Sequence, residues 1–314
     1  MKPAPHIERA GRSVTERVAE LMIRLDSLLD GPQAAAHLVA CGTAAVPALR
    51  RFLVEGRPRG VFQPRLWAVQ ALGGLGADDV LLEYLRAPIG SSDPVVRFAE
   101  QTVRSAAAKI LAKSRLPGVS ETLLDIARDE RLPGALDAVA DRAPEAATPI
   151  LIAALEDDFA RDVAQAALYR LGAAARDALI DSSLDRGTGT EPATRRRRAA
   201  LDLLLHVDLD ADAWRRLECL LDEEDAQLVC AVSLLGVERS PDPGRIARRL
   251  LGLLPNIGWD WLGTVEDMVV HCAERSEHDL RLLLPVPAEG EHRAGVLMVW
   301  QRICRRIEEV AERR

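Results

Sequence analysis

The chain has 314 residues, 48% hydrophobic but only 4% aromatic, and a net charge of -7. That length admits about two globular domains or one extended repeat array, and a composition led by alanine, leucine and arginine, without strand-like runs, predicts helices and argues against an α/β enzyme. The acidic balance argues against a general nucleic-acid coat, and no stretch reaches the roughly 20 apolar residues of a membrane-spanning helix.

Met1 to Ala10 is polar, is broken by Pro3 and Pro5, and has no apolar run after Lys2, so it does not read as a signal peptide. The expected location is the cytoplasm. Residues 14–29 read as a capping helix, giving an N-terminal segment 1–30. An alanine-rich amphipathic helix then recurs at 34–42, 68–76, 106–114, 135–143, 164–172, 199–207 and, more weakly, 229–237, at intervals of 29 to 38 residues. A second, leucine-bearing helix is predicted at 44–53, 78–85, 146–155 and 173–182. Pro47 and Pro149 fit the first turn of such helices, where the missing N–H has no partner to lose. Val46, Leu49, Phe52 and Leu53 share one face, with Arg50 and Arg51 outward; Val80, Leu81, Tyr84 and Leu85 do the same. Gly42, Gly76 and Gly172 are placed to end the first helices with positive φ. Ala68 and Ala71, or Ala106 and Ala107, are expected where neighbouring helices approach closely.

Beyond residue 254 the alanine pattern fades: 258–276 is helical, Pro285, Pro287 and Gly290 mark a break, and 292–313 reads as a charged final helix. The organisation is therefore 1–30, 31–255 and 256–314, an all-α chain of about seven to eight helical hairpins.

The pattern Ala-x-x-Ala-Leu-x-x-Leu-Gly, followed by a helix with Ala-x-x-Pro-x-Leu, resembles HEAT repeats, in particular the short bacterial kind related to phycobilisome-lyase HEAT-like repeats. Residues 64–85 and 92–111 carry it most clearly, and it covers roughly 31–255. The resemblance implies a right-handed α-α superhelix and a scaffold or adaptor that binds another protein without catalysis. It also implies that Asp93 and Arg97 form a structural ladder between repeats, and that second helices line an inner curve. HEAT-like folds further include bacterial alkylpurine DNA glycosylases, which cradle damaged duplex with tryptophans and an aspartate on a basic face. Trp259, Asp260 and Trp261 supply those types, but as neighbours in the acidic part of the chain. A bilin-lyase or chaperone-like role is a fold-level analogy, because no cysteine or histidine here marks chromophore handling.

The chain is electrically uneven: residues 48–118 hold 11 basic and 6 acidic side chains, while 119–314 hold 25 against 37. Arg50, Arg51, Arg57, Arg59 and Arg86 are accordingly candidate partner contacts, and the stretch 50–115 is the surface a nucleic-acid alternative would use. Trp259 and Trp261, two apart, cannot share a helix face, so at least one is expected to be exposed or to lie in the preceding loop, as interface tryptophans are. Four arginines, Arg195 to Arg198, follow the insertion-like loop 185–194; spread around a helix, they read as a solvated face or as inter-repeat ion pairs. The acidic runs 156–158 and 222–225 read as helix caps. Cys41, Cys219, Cys230, Cys272 and Cys304 lack C-x-x-C spacing and are expected to be reduced and mostly buried. His6, His37, His206, His271, His278 and His292 show no metal spacing, even with His271 beside Cys272. No phosphate loop, nucleophile elbow or H-E-x-x-H is present, so no cofactor, metal or catalytic residue is assigned.

Overall fold

A computed structural model describes residues 13–187, 189–276 and 294–313, and all regular structure among them is helical. The chain divides into two compact units, Met1–Ile150 and Leu151–Arg314.

The first unit holds α1 (Val14–Leu25), α2 (Gly31–Ala40), α3 (Val46–Arg50), α4 (Gln63–Gly74), α5 (Asp78–Arg86), α6 (Pro94–Leu111), α7 (Val119–Asp129) and α8 (Pro133–Arg142), while α9 (Pro144–Ala154) contains the division. The second holds α10 (Arg161–Leu171), α11 (Arg176–Leu184), α12 (Glu191–Leu204), α13 (Ala211–Leu217), α14 (Ala226–Gly236), α15 (Pro243–Leu253), α16 (Trp259–Arg275) and α17 (Ala294–Glu312). Within the first unit α2, α4, α6 and α8 stack side by side as one layer, and within the second α10, α12, α14 and α16 do the same; the helices between them form the other layer. Each helix thus packs on neighbours close in sequence, in the manner of a solenoid. All seven alanine motifs lie on the even-numbered helices of their own unit, where Ala68, Ala71, Ala107, Ala164, Ala167 and Ala200 are buried. Ala106 is only half-buried, and Ala108 takes the close-packed position.

Helix starts follow simple capping chemistry. Ser13 and Glu16 form a reciprocal capping box on α1, and Asp93, Asp210, Asp225 and Asp242 each accept backbone N–H groups at the starts of α6, α13, α14 and α15. Gly42, Gly76 and Gly172 have φ of +67°, +67° and +53°. An added Cβ would meet nothing within 4 Å at any of the three, so conformation and not crowding selects glycine. At Gly172, ψ is -123°, outside the left-handed helical region expected for it.

Several sequence expectations need correction. Pro47 lies in the first turn of α3, but Pro149 sits inside α9, because that helix begins earlier, at Pro144. The Thr148 hydroxyl donates to the Pro144 carbonyl at 2.8 Å in the turn that Pro149 interrupts. The helix expected over 44–53 is a composite: a 3-10 turn over Gly42–Ala45, α3, then a π turn over Arg51–Glu55. Of the face expected to be buried, Leu49 and Leu53 are buried while Val46 and Phe52 are only half-buried. On α5 the expected face of Val80, Leu81, Tyr84 and Leu85 is buried throughout. Of the free cysteines only Cys230 and Cys272 are buried, where desolvation pushes both thiols up to about 12; Cys41 and Cys304 are half-buried and Cys219 is exposed. Residues 1–10 with His6, the break at Pro285, Pro287 and Gly290, and His278 and His292 lie outside the described residues.

Candidate functional site

The arginines of the even-numbered layer first show what is not available for binding. Arg65 on α4 is 5% exposed. It donates to the carbonyls of Phe52, Leu53 and Gly56 at the end of the π turn, and through two bonds, at 3.0 and 2.8 Å, to the carboxylate of Glu100 on α6. Arg104 on α6 repeats the arrangement one hairpin later, reaching the carbonyls of Tyr84, Leu85 and Ala87 after α5 and the carboxylate of Glu130. Each guanidinium therefore caps the preceding helix, whose last carbonyls have no partner of their own. Tyr84 lies between them and donates its hydroxyl to Glu100 at 2.6 Å, and burial, reinforced by Glu100, pushes that phenol far above its ordinary pKa.

In the second unit Arg161 reaches the Leu155 carbonyl and Arg197 the Ser183 carbonyl, extending the device, while Arg249, on α15 of the other layer, reaches back past α14 to the Leu221 carbonyl. These residues form the inter-repeat ladder; Asp93 and Arg97 do not. Asp93 caps its own helix, and Arg97 is exposed, with no ion-pair partner among the described residues. Motif spacing could have located them: Arg65, Arg104, Arg161 and Arg197 each stand two or three residues before an alanine motif.

The four consecutive arginines of α12 are drawn into ion pairs in diverging directions. Arg195 reaches Asp158, Arg196 reaches Asp185 and Glu156, Arg197 reaches Glu223, and Arg198 reaches Asp225. The acidic runs thus serve mainly as ion-pair partners: Asp225 also caps α14, but α10, after the run 156–158, starts at Ala160 without a side-chain cap. Arg161 and Arg195 hold Asp158 below its ordinary pKa; at Asp185 the Gly187 N–H and Arg196 act in the same direction. Burial alone would raise Glu223 and Asp225, but Arg197 with Arg186, and Arg198 with the Leu228 N–H, outweigh it and leave both lowered.

The basic candidates do not form one free surface. Arg50 is bound to Glu83 on α5 and to Glu55, and Arg59 pairs with Asp26 at 3.1 Å. Arg86 donates to Thr122 at 3.2 Å in an α5–α7 groove of about 410 Å³ that is also lined by Glu121, Asp125, Asp129 and Glu130, an acidic setting opposite to the one expected. Arg51 and Arg57 are exposed, with no ion-pair partner among the described residues.

Arg57 and Arg59 belong to a connector beside an uncovered apolar strip. Val61, Val95 and Phe98 are 51%, 66% and 63% exposed, and a Cβ on Gly60 would lie 3.5 Å from Val95, which places the connector against the start of α6. Three bulky side chains left uncovered next to one another, with Arg57 and Arg59 in the same connector as Val61, are the usual mark of an interaction surface. Sequence reading missed this strip because Val95 and Phe98 resemble core residues in an amphipathic helix.

In the second unit, Trp259 opens α16 and is 68% exposed, while Trp261 is half-buried. An open groove of about 520 Å³ between α10 and α12 is lined by Gln165, Tyr169, Arg170, Asp202 and His206 among others. The rings of Tyr169 and His206 meet edge to face at 5.2 Å, and desolvation raises the Asp202 pKa in spite of His206. His271 faces Glu238 at 2.9 Å while Cys272 beside it turns into the core. Among the described residues, no three His, Cys, Asp or Glu side chains come together as a metal site would require. No helix among them is long and apolar enough to cross a membrane.

The chain matches no family model, no curated protein and no solved structure.

Proposed function

We propose that the protein is a non-catalytic binding module of HEAT-like type, a scaffold or adaptor that holds another protein. The observation that carries this reading is the exposed strip of Val61, Val95 and Phe98, next to the connector that holds Arg57 and Arg59. The ionisable side chains that look most distinctive in sequence, by contrast, are spent on helix ends and ion pairs within the chain. The nucleic-acid alternative has less support: Arg50 and Arg86 are engaged locally, and Trp259, Asp260 and Trp261 belong to the other unit.

The test is affinity capture of the tagged full chain from its native lysate, with and without nuclease, beside a Phe98→Asp variant. The expected result is a stoichiometric protein that survives nuclease and is lost with the variant. Capture that disappears on nuclease treatment would transfer the reading to nucleic acid.

A further inference from the structure

The groove of about 520 Å³ between α10 and α12 has walls built from side chains one helical turn apart: Gln165 and Tyr169 on α10, Asp202 and His206 at the end of α12. Ala166 and Leu203 line it between them. The Tyr169 side chain is 60% exposed. It meets His206 edge to face at 5.2 Å, a contact that leaves an aromatic face open. A volume of this order takes a side chain or a small organic ligand.

Asp202 gives the groove its chemistry. Arg198 stands one turn before it on α12 and would be its ordinary partner, but that guanidinium turns to Asp225 at 2.5 Å. The Asp202 side chain makes no hydrogen bond or ion pair among the described residues. The other carboxylates around α12, Asp158, Asp185, Glu223 and Asp225, are all matched to arginines. Desolvation raises the Asp202 pKa and only the charge of His206 acts against it, so no arginine neutralises this group. Helix α10 ends at Leu171 and α12 at Leu204, and the contact of Tyr169 with His206 brings these two C-terminal turns, the negative ends of the helix dipoles, to the groove. Arg170 lines the same groove, but it has no part in the Asp202 shift and already makes an interaction of its own. A desolvated carboxylate, two helix C-termini and an open aromatic face all favour positive charge.

We infer that the groove is a binding site for an organic cation, an alkylammonium or guanidinium group, with its charge toward Asp202 and its methylene chain along Tyr169, Ala166 and Leu203. The site belongs to the other unit from the strip around Phe98 and does not depend on it. An anion would meet Asp202 and two negative helix ends, and a metal ion would find no set of three ligating side chains among the described residues.

The chain has two tyrosines, so NMR of the full chain with isotopically labelled tyrosine rings gives one reporter in the groove and, at the buried Tyr84, an internal control. Loss of a signal in Tyr169→Phe assigns the groove reporter. The expected result is that n-butylammonium and n-propylguanidinium move the Tyr169 signal saturably, with Kd on the order of 1–10 mM, and leave Tyr84 unmoved. Butyrate and butanol at the same concentrations are expected to move neither. Asp202→Asn, an exposed substitution shown to be folded by an undiminished unfolding midpoint, is expected to weaken both cations at least about threefold. Butanol that binds as well as butylammonium would reduce the groove to an apolar cleft and overturn the cation site. The absence of a saturable shift below about 50 mM, or an Asp202→Asn variant that binds as the parent does, would overturn it equally. Spermidine and a capped Gly-Lys-Gly peptide then separate the two sources of such a cation: the larger gain over butylammonium assigns the site to a free polyamine or to a basic side chain of a partner protein.

Discussion

Arg65 has five N–H donors and five acceptors: three carbonyls of the preceding turn and two bonds to Glu100. Complete pairing is what allows a charge to sit 5% exposed in a core at all. Removing Glu100 leaves that guanidinium buried with part of its fork unpaired and strips the Tyr84 hydroxyl of its acceptor, so Glu100→Ala is expected to destabilise the fold by about 3–5 kcal/mol. Chemical denaturation followed by far-ultraviolet circular dichroism measures this, and a cost under about 1 kcal/mol, the range of a surface pair, would mean the network is not buried in solution. Lysine is no substitute at Arg65 or Arg104, because a single ammonium cannot span three carbonyls and a carboxylate. Sequence reading counted these arginines toward a basic surface. Charge alone does not tell a guanidinium that faces solvent from one folded under a helix end.

At the scale of elements, the even-numbered helices were legible because their alanines and leucines recur with helical period, and all seven motifs fall on them. The composite helix around α3 was not, since a π turn leaves no mark in hydrophobic spacing. The start of α6 was equally opaque: an uncovered apolar turn differs from a covered one only in what its neighbours do. Close approach between helices shows the same dependence. Gly236 on α14 packs against Trp214 of α13, where an added Cβ would fall 2.1 Å from the ring. Trp214 is 1% exposed and has no space into which to retreat. Gly236→Ala is therefore expected to destabilise by about 1–3 kcal/mol in spite of alanine's better helix propensity. Gly252 on α15, where nothing lies within 4 Å, provides the control: alanine there is expected to be neutral or mildly stabilising in the same denaturation assay.

Over the whole molecule, both units carry the same joint between hairpins, and the second adds a belt of ion pairs around α12. Asp158, Asp185, Glu223 and Asp225 have folded pKa values below their ordinary ones. The unfolded chain therefore takes up protons first on acidification. The belt contributes fully above the ordinary carboxylate range near pH 4, and the contribution is lost as pH falls through the folded values. Urea midpoints measured from pH 7 down to 3 should fall in that window, and the fall should flatten when Arg195 and Arg198 are replaced by methionine. A midpoint constant across it would show that the pairs do not form in solution. The joints themselves bear on how such a chain can change over time. Six residues separate Arg161 from the carbonyl it caps at Leu155, whereas nineteen separate Arg104 from Leu85. The long guanidinium stem closes the joint in both cases, so the connectors between hairpins are free to gain or lose residues. Insertions there would drift without loosening the packing, and a new recognition loop could be acquired at a hairpin junction while the array beneath it stayed intact.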